Sequence, residues 1–244
     1  MSPIEVTCAI LKKGSSLLGI ELNPEQLEKF TVYYKELTEQ SKHINLTTII
    51  EWESVQSLHF LDSISVYRAL TKQILQSGKV LDIGTGAGFP GIPLKIAFPN
   101  IQLHLIESIG KKTNFLKNLI TKLDLDNVKI HLGRAEQLAH IKDLRENFDC
   151  VLTRAVAKLN TLAELTLPFC RIGGVSVAQK QLHINSETEQ ASYAFDILGG
   201  NLESQIKISL DNLLYPRSLV VIRKKFNTPS KYPRRPGIPS KRPL

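Results

Sequence analysis

The sequence predicts an α/β fold: a mostly parallel sheet closed by a C-terminal antiparallel hairpin, with a helical extension in front. Three observations carry that expectation. From residue 79 onward, short β-rich runs alternate with helical stretches, the pattern of a parallel sheet covered on both faces. A glycine-rich run follows the first of these strands and opens a helix. Near the C-terminus, strand-like runs at roughly 202–210 and 218–225 have no helix between them, so they can pair as a hairpin without a crossover.

The elements follow in order. Residues 1–75 read as a helical N-terminal region. Asn23-Pro24-Glu25-Gln26 is a helix start: Asn23 caps, Pro24 suits the first helical position, and Gln26 completes a capping box. Leu27, Phe30, Tyr34 and Leu37 then recur at helical spacing. Residues 51–70 read as a second helix with Trp52, Val55, Leu58, Leu61 and Ile64 along one side. Predicted strands lie at 79–83, 101–107, 127–132, 148–153 and 175–180. Helices are expected at 91–98, 110–124, 135–146, 158–170 and 185–199. The continuous apolar character of 101–107 suits a strand buried on both sides. The sheet domain is placed at 76–226 and a basic, Pro-rich tail at 227–244.

The 244 residues are 42% hydrophobic and 22% charged, enough apolar material for one sizeable core. No apolar run reaches the roughly 18 residues of a membrane span, and the N-terminus lacks a secretion signal. A cytoplasmic protein without a membrane partner is expected, with a monomer as the simplest state. Cys8, Cys150 and Cys170 are odd in number and widely spaced, which argues against a disulfide framework or a zinc knuckle. Nine of the 31 basic residues lie beyond Asp211, the last acid, leaving 22 basic against 23 acidic residues up to and including Asp211. The tail is therefore expected to be an extended or mobile cationic arm, suited to nucleic acid.

The run Asp82-Ile83-Gly84-Thr85-Gly86-Ala87-Gly88-Phe89-Pro90-Gly91 is the central motif. Glycines there allow a tight turn and let a ligand approach the backbone. Residues 86–91 match G-x-G-x-x-G, so a nicotinamide or flavin cofactor has to be considered. Glu107, 21 residues after Gly86, could accept hydrogen bonds from ribose hydroxyls of any such cofactor. Asp82 discriminates: the D-x-G-x-G-x-G run is similar to motif I of class I methyltransferases. A carboxylate tolerates a sulfonium nearby but repels a pyrophosphate.

Further stretches make the match specific. They are Asn45-Leu46-Thr47, His59-Phe60-Leu61-Asp62-Ser63, residues 82–99, Glu107-Ser108, Gly133-Arg134-Ala135-Glu136, Thr153-Arg154-Ala155-Val156-Ala157 and Arg217-Ser218-Leu219-Val220-Val221-Ile222. With them the chain resembles the bacterial ribosomal RNA small subunit methyltransferase G family, also called glucose-inhibited division protein B, over about residues 24–244. The resemblance implies a class I methyltransferase Rossmann-like sheet. It also implies S-adenosylmethionine as donor and N7 of a guanine in small-subunit ribosomal RNA, free or within a ribosomal subunit, as acceptor. By the family pattern Gly84 and Phe89 contact the cofactor, Glu107 holds the ribose, Ala135 and Glu136 border the adenine, and Arg154 lies beside the cofactor. Arg134, Lys180 and Arg217 are assigned to RNA. One departure is Gln181 after Lys180, where the family commonly has glycine.

N7 of guanine has a free lone pair and no proton to lose, so no catalytic base is expected. Orientation and exclusion of water should carry the reaction. His59 and Asp62, one helical turn apart, could pair, but a metal site needs more ligands. Two other readings stay open on sequence: a nicotinamide oxidoreductase, and a noncatalytic RNA-binding factor that keeps the fold.

Overall fold

The computed structural model describes residues 7–154, 157–182, 184–210 and 216–244. Its centre is a seven-stranded sheet built from β1 (Lys79–Ile83), β2 (Gln102–Glu107), β3 (Val128–Leu132), β4 (Phe148–Arg154), β5 (Cys170–Gln181), β6 (Gly200–Ile208) and β7 (Arg217–Lys224). The strand order is β3-β2-β1-β4-β5-β7-β6. The first five strands pair in parallel, and β7 pairs antiparallel with both β5 and β6. This is the mixed sheet that the sequence predicts.

Side chains alternate between faces, as the strand period of two requires. Val80, Leu103, Leu105, Cys150, Leu152, Val177 and Val221 are buried on one face. That face is covered by α1 (Ala9–Leu18), α2 (Pro24–Ser41), α6 (Gly91–Ala97) and α7 (Gly110–Lys122). Leu81, Ile83, Ile106, Val151, Ala178, Val220 and Ile222 are buried on the other. They pack against α8 (Ala135–Leu138), α9 (Leu159–Thr166) and α11 (Ser192–Ile197).

The α2 start carries the predicted capping box: Gln26 N donates to Asn23 Oδ1 at 2.8 Å, and Asn23 N donates to Gln26 Oε1 at 2.9 Å. Gln26 Nε2 then reaches the carbonyls of Ile96 and Ala97, so one side chain also satisfies the end of α6.

Four expectations are corrected. Residues 51–70 are not one regular helix. α3 (Trp52–Val55) widens into a π-helical turn at Gln56–Leu61 before α4 (Asp62–Ile64) and a 3₁₀ turn at Ser65–Ala69, and α5 (Lys72–Ser77) then leads into β1. Within the wide turn, the Leu58 carbonyl accepts from Arg154 at 3.3 Å. The helix expected at 135–146 is only α8; the chain continues in turns to Arg145, which reaches the C-terminal segment. The helix expected at 185–199 is two, α10 (Asn185–Gln190) and α11, broken at Ala191.

The fourth correction concerns the tail, which is docked rather than a free arm. Arg145 donates to the carbonyls of Thr228 and Tyr232 at 2.8 and 2.9 Å. Arg234 forms a forked pair with the fully buried Glu164, with contacts of 2.6 and 2.9 Å. Thr161 Oγ1 donates to the Pro239 carbonyl, and Tyr232 is buried against the α9 face. Of the nine C-terminal basic residues, Arg217, Arg223, Lys224 and Arg234 pair with acids of the fold. Lys225, Lys231, Arg235, Lys241 and Arg242 remain exposed. Composition could not reveal this docking, since it rests on backbone carbonyls that every sequence possesses and on Glu164, 70 positions before Arg234. Asp211, Ala155 and Val156 lie outside the described residues.

Candidate active site

β1 ends at Ile83, and the chain then turns through Gly84, Gly86 and Gly88 at φ of +68°, +60° and +104°. Side-chain-bearing residues rarely adopt that backbone, so glycine is favoured at all three positions. The loop is held from two sides. Asp82 Oδ2 accepts from Thr85 Oγ1 at 2.7 Å and from Gly91 N at 2.9 Å. Glu107 Oε2 accepts from Gly86 N at 3.0 Å, while its Oε1 takes the amides of Ser108 and Ile109. The acid ending β2 thus braces the loop after β1.

The glycines differ in what surrounds them. A Cβ on Gly88 would stand 2.7 Å from Ile92 and from the Tyr33 hydroxyl. One on Gly86 would meet only the Gly84 carbonyl, at 4.0 Å. The loop is therefore packed at Gly88 and open at Gly86. Asp82 is fully buried, and its Oδ1 has no partner among the described residues. Burial raises its pKa to about 6, against the opposing pull of Thr85, Gly91 and Arg154. At neutral pH it is a carboxylate with an unused oxygen. An open glycine cradle between a buried Asp82 and a braced Glu107 fits a cationic nucleoside such as S-adenosylmethionine.

Arg154 ends β4 next to this loop. Asp82 pairs in register with Leu152, so Arg154 stands at the height of Gly84. Its guanidinium lies 4.8 Å from the centre of the Phe89 ring. The same ring stacks on His59 at 4.6 Å and on Tyr33 at 5.4 Å. Burial and Arg154 push His59 down to about 4, which keeps the imidazole neutral. Arg154 donates to Asp62 Oδ2 at 3.1 Å, and Arg217 Nε donates to Asp62 Oδ1 at 3.0 Å. Gln179 Nε2 donates to the Asp62 carbonyl at 2.6 Å.

These groups wall a cavity of about 850 Å³ at the ends of β4 and β5 and the start of β7. His59, Asp62, Arg154, Gln179, Lys180, Glu187 and Arg217 line it. Lys180 Nζ pairs with Glu187 at 2.8 Å and donates to the Ala157 carbonyl. No residue of the glycine loop lines the cavity. Arg154, packed on Phe89, is the partition between cradle and cavity.

The predicted residues therefore fall into three groups. Gly84, Phe89, Glu107 and Arg154 gather where β1, β2 and β4 end, at the switch point of the sheet. Lys180 and Arg217 share the neighbouring cavity. Ala135 and Glu136 open α8, with Glu136 Oε1 accepting from Gly237 N at 3.0 Å. Arg134 is more than half exposed, 3.6 Å from Glu136, and does not line the cavity. His59 and Asp62 do not bond to each other among the described residues; His59 turns to Thr47 at 2.9 Å, and both face Arg154. Sequence reasoning missed Gln179, Glu187 and the role of Asp62. The available signal was two titratable residues, His59 and Asp62, in the otherwise uncharged stretch 55–64.

The model of the family described as rRNA small subunit methyltransferase G matches residues 26–212, which contain the cradle, the partition and Lys180. This chain belongs to that family. It is 48% identical over 231 residues to the ribosomal RNA small subunit methyltransferase G of Dehalococcoides mccartyi, covering 95% of this chain and 97% of the relative. With that of Lachnoclostridium phytofermentans it shares 45% over 232 residues, 95% of both. The fold of this methyltransferase G chain is shared more widely. A candidate O-methyltransferase from Klebsiella pneumoniae superposes with a TM-score of 0.54 at 14% identity, over 78% of this chain and 90% of that one. Among the described residues, no helix is long and apolar enough to cross a membrane.

Proposed function

We propose that this methyltransferase G chain transfers the methyl group of S-adenosylmethionine to N7 of a guanine in small-subunit ribosomal RNA. The observation that carries the reading is the adjacency of two sites across one side chain. An open glycine cradle suited to a cationic nucleoside lies on one side of Arg154, and a cavity rimmed by Arg217 and Lys180 lies on the other.

In this reading Gly84 and Phe89 contact the donor, Glu107 faces the ribose, and Ala135 with Glu136 borders the adenine. When bound, S-adenosylmethionine supplies an electrophilic methyl group. The protein's work is placement. Glu107 and Asp82 fix the loop, Phe89 and Arg154 separate the sites, and the walls exclude water. His59 is neutral and bonded to Thr47, and no base is required because N7 has no proton to lose. Arg217 and Lys180 at the cavity, with Arg134 further out, meet RNA phosphates. The chain acts as a monomer in the cytoplasm.

Purified protein incubated with methyl-labelled S-adenosylmethionine and ribosomal RNA from cells lacking it should label one guanine at N7, read by mass spectrometry. RNA binding without methyl incorporation would favour the noncatalytic reading. Retention of a nicotinamide cofactor instead of S-adenosylmethionine would favour the oxidoreductase.

A further inference from the structure

Asp62 is only 1% exposed, yet its carboxylate is shared between two arginines. One of them, Arg154, is pinned at the height of Gly84 by its contact with Phe89. A guanidinium fixed there is an unfavourable neighbour for a sulfonium, because like charges a few ångströms apart repel even through a polarisable protein. Two carboxylates stand against it: Asp82, buried under the glycine loop, and Asp62, which bonds the guanidinium directly.

The geometry points to Asp62 as a positioning residue for the methyl donor: it offsets part of the charge of Arg154 and Arg217 and holds the Arg154 guanidinium on Phe89, so that a cationic donor can lie against the glycine loop. The inference rests on the reading of Arg154 as a neighbour of the donor. Asp62, Arg154 and Arg217 together carry one net positive charge. His59 adds none, and Lys180 is balanced by Glu187. Asparagine at position 62 would raise that sum to two, and glutamine at 217 would lower it to zero.

S-adenosylmethionine and S-adenosylhomocysteine differ by one methyl and one positive charge at sulfur, so their affinity ratio reports the local field. Calorimetric titration of both ligands needs no RNA. Asp62→Asn should weaken S-adenosylmethionine about tenfold relative to S-adenosylhomocysteine. Arg217→Gln alone should shift the ratio about threefold the other way. The double variant, with its net charge restored, should return to within about threefold of the wild type. A purely structural role would weaken both ligands equally in Asp62→Asn, and that result overturns the proposal. So does an unchanged ratio in Arg217→Gln, the informative variant should Asp62→Asn fail to fold. Wild-type protein that binds neither ligand overturns the donor reading itself.

Discussion

Phe89 lies beneath the guanidinium of Arg154, 4.8 Å from ring centre to guanidinium carbon, with His59 stacked on the same ring. A glycine-loop residue and a strand-end residue 65 positions later are thereby locked together. Phe89→Ala would remove a buried ring, leave a cavity and free Arg154. A stability loss of about 3 kcal/mol is expected in urea unfolding. Cofactor affinity should fall with it, and near-wild-type affinity in the folded variant would contradict the partition described above.

The three loop glycines should fail in different ways. Gly86→Ala places a methyl in open space, so its folding cost is limited to the positive φ, about 1 kcal/mol. The methyl occupies the ligand's approach, and binding of S-adenosylmethionine should weaken at least tenfold. Gly88→Ala collides with Ile92 and Tyr33, so its loss should appear first in the melting temperature. Gly84→Val puts a branched side chain at φ +68° and should abolish binding. Titration calorimetry paired with thermal melts separates the three, and a Gly86→Ala protein that binds normally would mean the cradle is not a ligand site.

The docked tail gives a third prediction. Arg234→Ala leaves Glu164, fully buried, without its forked partner, at a cost of about 3 kcal/mol. Deleting 227–244 should lower both stability and cofactor affinity, because Gly237 N is a hydrogen-bond partner of Glu136. RNA affinity should fall as well, through loss of exposed Lys231, Arg235, Lys241 and Arg242. A truncated protein with wild-type melting and cofactor binding would show the tail to be dispensable to the fold.

Acid should destabilise the protein from about pH 6.5 downward. Burial pushes His59 and His104 to about 4; Arg154 adds to the effect on His59, and His131 adds to that on His104. The unfolded chain protonates near pH 6.5 while the folded chain stays neutral. Stability is therefore full above that pH and falls as pH drops toward 4, by at most about 3 kcal/mol per histidine. Asp82 acts with the opposite sign. Its raised value of about 6 means that the folded state protonates first, recovering part of the loss below pH 6. Urea unfolding at pH 7 and pH 5 should give the lower free energy at pH 5, and equal values would argue against buried neutral histidines.

The glycine loop was readable because positive φ leaves few residue choices, and the strands were readable because β-rich runs recur between helices. The capping box at Asn23 was readable for the same local reason. The partition was not. Asp62, Arg154 and Arg217 are scattered along the chain and meet only because β7 runs antiparallel and so begins at the edge where β4 ends. Nor was the π-helical turn readable, since its apolar spacing at Trp52, Val55, Leu58 and Leu61 matches an ordinary helix. The tail misled because Arg234 and the carbonyls of Thr228, Tyr232 and Pro239 acquire partners only when α9 and Arg145 are already in place.

The bond from Gly237 to Glu136 joins the docked tail to the opening of α8. Whatever strips that segment from the body, a protease or a competing surface, would disturb the start of α8 with it; in the proposed reading, tail and donor site come undone together.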